Sequence, residues 1–555
     1  MVGRLKLEKI ITELTVNALL NAFEKGLLEK VDIPLFTPEV PKDTKFGDYS
    51  VNVAMQLSKP LKKNPREIAT ILIDCLDADN INIKKCEIAG PGFINFYLSE
   101  QTYYDALAEI IEQKESYPQM KLDVKKSINV EYVSANPTGP PHIGNARGGA
   151  IGDVLANIYK RIGWDSTKEF YLNDAGNQII KFGQSLYARF MQIFDENFPF
   201  IEDGYQGADI AELAKDFYNE FGDEVRHLSE DELISKITTF SLEKNIAKLK
   251  KALTDYKIIY DVWFNESSLI NDGSLQNAIK LLEDNNATYS KDGALWFKAT
   301  DYDCEKDEVL VRSNGLSTYY LSDIAYHIDK FTKRNFDLAV NVWGADHHGH
   351  VHRLKMALKA AGIDPNRLKV IIMQLVRLVR GEEAVRLSKR KGEIVTLGEL
   401  IDEVGSDAAR YVFNSNNSNT HMEFDLDLAI KQSNDNPVFY VQYAHARIKS
   451  ILRNVTSDVS ECDFTLLVEK AEISLIKKMI DLPKELSQAA RDFDPSKMTK
   501  YAYDLASEFH SFYNACRCNC EDMHLRTARL ALVQASAYVL KNTLDILGVS
   551  APEQM

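Results

Sequence analysis

Apolar residues recur along this chain at two spacings, and the change from one to the other marks its parts. Near the start, Glu8, Thr12, Glu13 and Asn17 break the apolar positions into helical spacing, which predicts an amphipathic helix over roughly 5–29. The same interruptions leave no unbroken apolar core of a signal peptide. A loop rich in turn formers runs from Thr37 to Asp48, and a helical pattern follows to about residue 77. Ala89-Gly-Pro-Gly-Phe-Ile-Asn-Phe-Tyr-Leu98 then reads as a turn leading into an aromatic, β-branched strand. These pieces predict a small α/β domain, closed by the charged link Lys121 to Lys126.

From Ser127 the period changes. Ile128 to Val133 is strand-like, Ser134 to Pro141 is a turn-rich loop, and a helix starts around His142 to Asn145 and runs to about Arg161. Strand, loop and helix in that order open a nucleotide-binding α/β fold. Later strands are predicted at 336–343 and 369–376, while 185–290 carries a mostly charged helical pattern and reads as an insertion between the halves of the sheet. Residues 397–555 read as all-helical, with a short link near 454–464. The expected architecture is multidomain. A small α/β N-terminal domain spans 1–117, and an α/β Rossmann-like catalytic domain with a parallel sheet spans 118–396, with the helical insertion at about 185–290. A helical connection at 397–435 leads to an all-α C-terminal domain at 436–555.

Composition narrows this picture. With 555 residues, 45% apolar and 26% charged, the chain has the mix of a soluble globular protein, and no run of about 18 apolar residues predicts a membrane helix. Seven scattered cysteines, an odd number, suit a reducing compartment better than a disulfide framework. Cys516, Cys518 and Cys520 lie close together but lack a CxxC spacing or a partnering His, so no structural zinc is expected. A net charge of −15 and a pI near 5.4 argue against wholesale coating of nucleic acid. Local basic faces remain. Arg377 to Lys391 carries six Lys/Arg against Glu382 and Glu383, and residues 440–555 nearly balance 14 Lys/Arg with 15 Asp/Glu.

Two segments carry candidate chemistry. In Glu131 to Asn145, three prolines and a glycine deliver His142 and Asn145 to a helix N-terminus, where backbone N–H groups and the dipole favour anions. Gly144 lacks a Cβ, so a ring or a phosphate could approach the backbone. Taken singly, His142 could equally be part of a capped structural turn. The second segment, Arg386-Leu-Ser-Lys-Arg-Lys-Gly392, is a basic loop whose lysine could follow phosphates as geometry changes; in isolation it could be a solvated charge run. His347, His348, His350 and His352 bunch together without a carboxylate or thiolate set at defined spacing, so no metal is assigned to them.

His142-Ile-Gly-Asn145 resembles the HIGH signature and Arg386-Leu-Ser-Lys-Arg390 the KMSKS signature of class I aminoacyl-tRNA synthetases, in that order and some 240 residues apart. The strings SANPTGPPHIGNARGGAIGD, FYLNDAGNQI, VWGADHHGH and SNDNPVFYVQYAHARI resemble arginyl-tRNA synthetases of bacterial type, and the resemblance covers essentially the whole chain. Asn145 replaces the last histidine of HIGH but still donates from its amide. Arg386 keeps the charge of the first KMSKS position, and Arg390 leaves the role of the last one open. Some family members lack the second lysine and carry one just before HIGH. This chain has Gly139 there and retains Lys389.

The resemblance implies roles residue by residue. Glu131 and Asn136 would meet the amino-acid backbone, and Tyr319 and Asp323, four apart and on one helical face, the guanidinium. His142, Gly144, Asn145, Gly344, Asp346 and Lys389 would bind ATP, Asp346 at the ribose, with Mg²⁺ held through the phosphates; His142, Asn145 and Lys389 would be catalytic. Phe93 and Asn95 would touch the tRNA corner. The C-terminal helices would bind the anticodon, where Tyr440, Tyr443, Tyr501, Phe509, Phe512 and Tyr513 are mostly core candidates, and exposed ones could stack bases. The implied partners are tRNA(Arg), L-arginine and ATP, for a cytoplasmic monomer with no membrane contact that needs tRNA before it forms the adenylate. Rival readings are a small nucleotidylyltransferase, which would be shorter, a non-catalytic RNA-binding derivative, which would have lost some of these residues, and a class I synthetase for another amino acid.

Overall fold

A computed structural model describes residues 3–41, 43–76, 82–381, 383–384, 395–455 and 462–555. The first helix is Gly3–Glu24, shorter than its apolar pattern. Gly26 ends it with φ at +66°, and the Leu27 N–H returns to Ala22 O at 2.9 Å, as a left-handed C-terminal residue allows. The predicted helical stretch to residue 77 is two helices, Val53–Leu61 and Pro65–Asp74. The strand expected at 89–98 is the second arm of a hairpin: Ile83–Ala89 turns at Gly90 to Gly92 into Phe93–Leu98, which also pairs with Tyr49–Val51.

The central sheet has five parallel strands: β1 Ser127–Glu131, β2 Asp165–Leu172, β3 Val262–Asn265, β4 Leu338–Gly344 and β5 Leu368–Met373. Their order is β3-β2-β1-β4-β5. Successive connections leave β1 in opposite directions, so a crevice opens at the carboxyl ends of β1 and β4, where ligands of such sheets bind. Helix α1, Ile143–Arg161, follows β1; α2, Tyr319–Thr332, precedes β4; α3, His348–Ala360, links β4 to β5. Gly152 lets α1 lie directly on the end of β1, because a Cβ there would stand 2.2 Å from Tyr132 Cγ.

Between β2 and β3 the chain makes three helices, Asn177–Met191, Ala208–Phe221 and Glu230–Asp255, around their own core of Phe182, Phe190, Leu213, Phe217 and Ile237. Residues 195–235 hold thirteen Asp/Glu and two Lys/Arg, so this stretch alone accounts for −11 of the net −15. The helical pattern read over 185–290 also contains β3. Beyond it lies an antiparallel sheet of Thr288–Lys291, Ala294–Phe297 and Glu308–Val311. Four-residue strands offer too few alternations to register as a period.

The C-terminal part contains the helices Pro437–Asn454, Lys470–Met479, Leu482–Asp492, Ser496–Ala515 and Met523–Leu547. The stretch from 397 is not wholly helical: Met422–Asp425 pairs in parallel with Val376–Arg380. A buried ion cluster fastens the C-terminal helices to α1. Asp153 meets Lys168 at 2.6 Å and Arg410, and Arg410 Nε donates to Leu547 O at 3.0 Å. Among the described residues, no helix is long and apolar enough to cross a membrane.

Candidate active site

The crevice is framed first by the start of α1. His142 is its N-cap: Nδ1 accepts the Gly144 N–H at 3.1 Å, and Asn145 Oδ1 accepts the His142 N–H at 2.9 Å. With Nδ1 accepting, the neutral ring carries its proton on Nε2. Desolvation lowers the pKa of His142, which favours that neutral form. A Cβ on Gly144 would lie 2.9 Å from His142 Cε1. The close neighbour that requires this glycine is therefore the imidazole itself.

These residues line a cavity of about 810 Å³ together with Asn136, Gly344 and Asp346. The loop from β1 into α1 leaves the strand through Val133 at φ +68° and Ser134 at φ +42°. A β-branched residue in that region is strained, and such strain gathers at functional sites. A Cβ on Gly344 would sit 2.5 Å from Asp346 Oδ1, the end of an exposed side chain that could turn aside. Lys389, Arg386 and Arg390 lie outside the described residues. The chain that follows them pairs with the start of α1: Ile143 N donates to Val395 O at 3.1 Å, and Leu397 N to Pro141 O at 2.7 Å.

Glu131 ends β1 as a buried carboxylate. Its Oε1 accepts from Ser134 Oγ at 3.2 Å and its Oε2 from the fully buried Lys330 Nζ at 2.8 Å. Lys330 also donates to Asn341 Oδ1 at 3.2 Å. That leaves the Asn341 amide to donate to His327 Nε2 at 2.8 Å, so the His327 proton is on Nδ1 and donates to Asp323 O at 2.7 Å. Burial, aided by Lys330, lowers the His327 pKa to about 3 and keeps the ring neutral. Glu131 and α2 are thus joined by a buried chain in which every step has a donor and an acceptor.

Thr318 caps α2, which places Tyr319 and Asp323 one turn apart on it. Tyr319 is 48% exposed; Asp323 is half-buried, with Oδ2 2.7 Å from His350 Nε2. Facing them is Glu266, just after β3 and only 5% exposed. Burial, reinforced by the charges of Asp323 and Asp174, raises its pKa to about 7. Burial among Glu266, Asp323 and Glu131 drives the Tyr171 hydroxyl far above its ordinary value. These carboxylates form an electronegative recess, and among the described residues no Lys or Arg pairs with Asp323 or Glu266. Sequence reasoning missed Glu266 and Lys330, and met His350 only within a histidine bunch to which it gave no role. Asn341 left a faint sign, a lone polar residue in the apolar run Leu338 to Trp343; Lys330, among Asp329, Lys333 and Arg334, left none.

At the N-terminal end, Phe93 is half-buried, while Asn95 is 3% exposed, between Ser50 and Glu87 of the neighbouring strands. In the C-terminal helices Tyr501, Phe509 and Phe512 are core, as most such aromatics are. Tyr443 and Tyr513 instead flank Arg447, whose guanidinium lies 4.7 and 4.9 Å from their ring centroids. All three line a cavity of about 1040 Å³ that Arg453, Arg517 and the C-terminal Met555 also border.

Three family models match in series: "Arginyl tRNA synthetase N terminal domain" over residues 8–98, "tRNA synthetases class I (R), catalytic domain" over 106–451, and "DALR anticodon binding domain" over 441–555. The arginine–tRNA ligase of Acetivibrio thermocellus is 46% identical, with 99% of each chain covered. That of Caldanaerobacter subterraneus subsp. tengcongensis is 48% identical at the same coverage. The fold is that of the Thermus thermophilus arginyl-tRNA synthetase, with a TM-score of 0.74 at 22% identity over 99% of this chain and 100% of that one. It also matches the Plasmodium falciparum arginyl-tRNA synthetase, with a TM-score of 0.75 at 18% identity over 99% of each.

Proposed function

Because the chain belongs to the arginyl-tRNA synthetases, we propose that its chemistry runs in the crevice between β1 and β4, with arginine among the carboxylates and ATP at the end of α1. The enzyme is a class I ligase that converts ATP, L-arginine and tRNA to arginyl-tRNA, AMP and diphosphate. One observation carries the placement: the reversal of strand order brings a helix N-terminus with a neutral, donating His142 beside a recess of carboxylates. The two halves match the two substrates, one anionic and one ending in a guanidinium that only donates.

In this reading Glu131 and Asn136 receive the arginine α-amino group, and Tyr319, Asp323 and Glu266 surround the guanidinium. The arginine carboxylate attacks the α-phosphate in line. His142 Nε2–H, the Asn145 amide and Lys389 donate to phosphate oxygens as charge builds there, and Mg²⁺ enters as part of the bound triphosphate. Gly344 leaves room for the Asp346 carboxylate, which takes the ribose hydroxyls. No protein nucleophile takes part; positioning and electrostatics lower the barrier. The arginyl group then passes to the 2′-OH of the terminal adenosine. The Arg447 aromatic stack and its basic rim offer a seat for unpaired anticodon bases, and Phe93 faces the tRNA corner. The substrate is tRNA(Arg), and the enzyme acts as a cytoplasmic monomer.

The test is ATP–pyrophosphate exchange with each of the twenty amino acids, with and without tRNA. Exchange with arginine alone, and only when tRNA is present, supports both the pocket and the need for tRNA. Exchange with another amino acid would overturn the roles given to Tyr319, Asp323 and Glu266. Exchange without tRNA would overturn only the tRNA requirement.

A further inference from the structure

Asp323 is held from behind. His350, on the first turn of α3, places Nε2 2.7 Å from Asp323 Oδ2. The proton in this contact can be located. On the far side of the ring, Nδ1 stands 3.4 Å from Nη2 of Arg353. A guanidinium donates and never accepts, so Nδ1 is the acceptor and Nε2 carries the hydrogen that is given to Asp323. Arg353 is itself paired with Glu308, in the antiparallel sheet beyond β3. The imidazole is walled by Tyr320 and Trp343, with ring centroids 5.8 and 5.7 Å away. A chain of fixed groups therefore runs from Glu308 through Arg353 and His350 to one oxygen of the carboxylate, Oδ2, and Oδ1 takes no part in it.

We propose that His350 is a positioning residue for arginine selection. It fixes the plane of the Asp323 carboxylate and occupies Oδ2, so that Oδ1 meets an N–H of the substrate guanidinium. This rests on the reading that Asp323 receives the guanidinium. The physical case is geometric: a half-buried carboxylate free to turn about its last bond would present its oxygens to a planar, forked donor at many angles. A site held within about 10–20° of the productive geometry avoids that loss. His350 touches no reacting atom, so its effect is confined to arginine and leaves ATP alone.

The test compares His350→Leu, His350→Gln and Asp323→Asn in the full chain, using tRNA charging to obtain KM for arginine and for ATP, with melting temperature measured alongside. Losing a hydrogen bond to a charged group predicts a rise of about tenfold in KM for arginine in His350→Leu, with KM for ATP and the melting temperature unchanged. His350→Gln puts an amide N–H near the Nε2 position and restores KM to within about threefold of the parent. If His350→Leu does not fold, His350→Asn, whose amide stops short of Asp323, reads the same contact. KM for arginine within twofold of the parent in His350→Leu, while Asp323→Asn raises it, overturns the role of His350 alone. An unchanged KM for arginine in Asp323→Asn overturns the guanidinium reading beneath it. A joint rise in both KM values with a fall in melting temperature makes His350 merely structural, and so overturns the proposal.

Discussion

Lys330→Met removes the charge that faces Glu131 while keeping a buried apolar stem. In the parent, Nζ lies 2.8 Å from Glu131 Oε2 and 3.9 Å from Glu169 Oε1, with no exposed side-chain surface. At an effective dielectric near 20 these attractions come to about 6 and about 4 kcal/mol. Desolvating the ions costs several kcal/mol each, so the sum is not the net effect; removing one partner of a buried pair costs about 3–5 kcal/mol. Glu169 keeps Arg334 and the Tyr326 hydroxyl, so the damage falls on Glu131 and the lower figure of about 3 kcal/mol applies. At about 2–4 °C per kcal/mol for a domain of this size, the calorimetric transition containing the parallel sheet drops by about 6–12 °C. Lys330→Met combined with Glu131→Gln leaves no lone buried carboxylate and recovers about 1–2 kcal/mol of that loss. Arginine binding, followed by titration calorimetry, fails in both variants because the group that holds its α-amino end is displaced or neutralised. A transition within 2 °C of the parent in Lys330→Met, or a double variant that loses the sum of both singles, would refute the reasoning.

Three more expectations follow from the same geometry. Glu266 is pushed up to about 7 by burial and by Asp323. Its contribution to stability is therefore greatest below the unfolded value near 4.5 and is lost as pH rises to about 7. An arriving guanidinium favours the ionised form, so arginine affinity rises with pH through this window and binding releases a proton. Buffer-independent binding heats at pH 6 would contradict this, and Glu266→Gln should abolish the release. In Gly152→Ala the new methyl meets Tyr132 Cγ at 2.2 Å. Instead of the usual gain of about 1 kcal/mol for Gly→Ala in a helix, we expect a loss of about 1–3 kcal/mol and a higher KM for ATP as α1 lifts from β1; a raised melting temperature would argue against this contact. Arg447→Ala should raise KM for tRNA and leave KM for arginine and ATP unchanged in steady-state charging, whereas equal changes in all three would place the defect in the catalytic sheet.

Local pattern was enough to find β1, β4, β5, α1 and the C-terminal helices, because each runs long enough to show its period. It also singled out His142, Gly144 and Asn145, while Asn136, Gly344 and Asp346 came only from the family resemblance. These sit at the carboxyl ends of β1 and β4 and share one cavity because those strands are neighbours. The four-residue strands, β3 among them, did not show, since so short a run fits either period. Asn95, named through the resemblance for the tRNA corner, lies between two neighbouring strands. The family resemblance named Glu131 and Asp323 for arginine, but their gathering with Glu266 into one buried recess lay beyond local pattern. Glu266 follows β3, Asp323 and Lys330 lie on α2, and Glu131 ends β1, nearly 200 residues before Lys330. A residue's own segment tells which face it occupies. Which distant segment covers that face, and hence whether a carboxylate is solvated, paired or pushed up to about 7, depends on strand order and on burial. Both exist only once the sheet has closed.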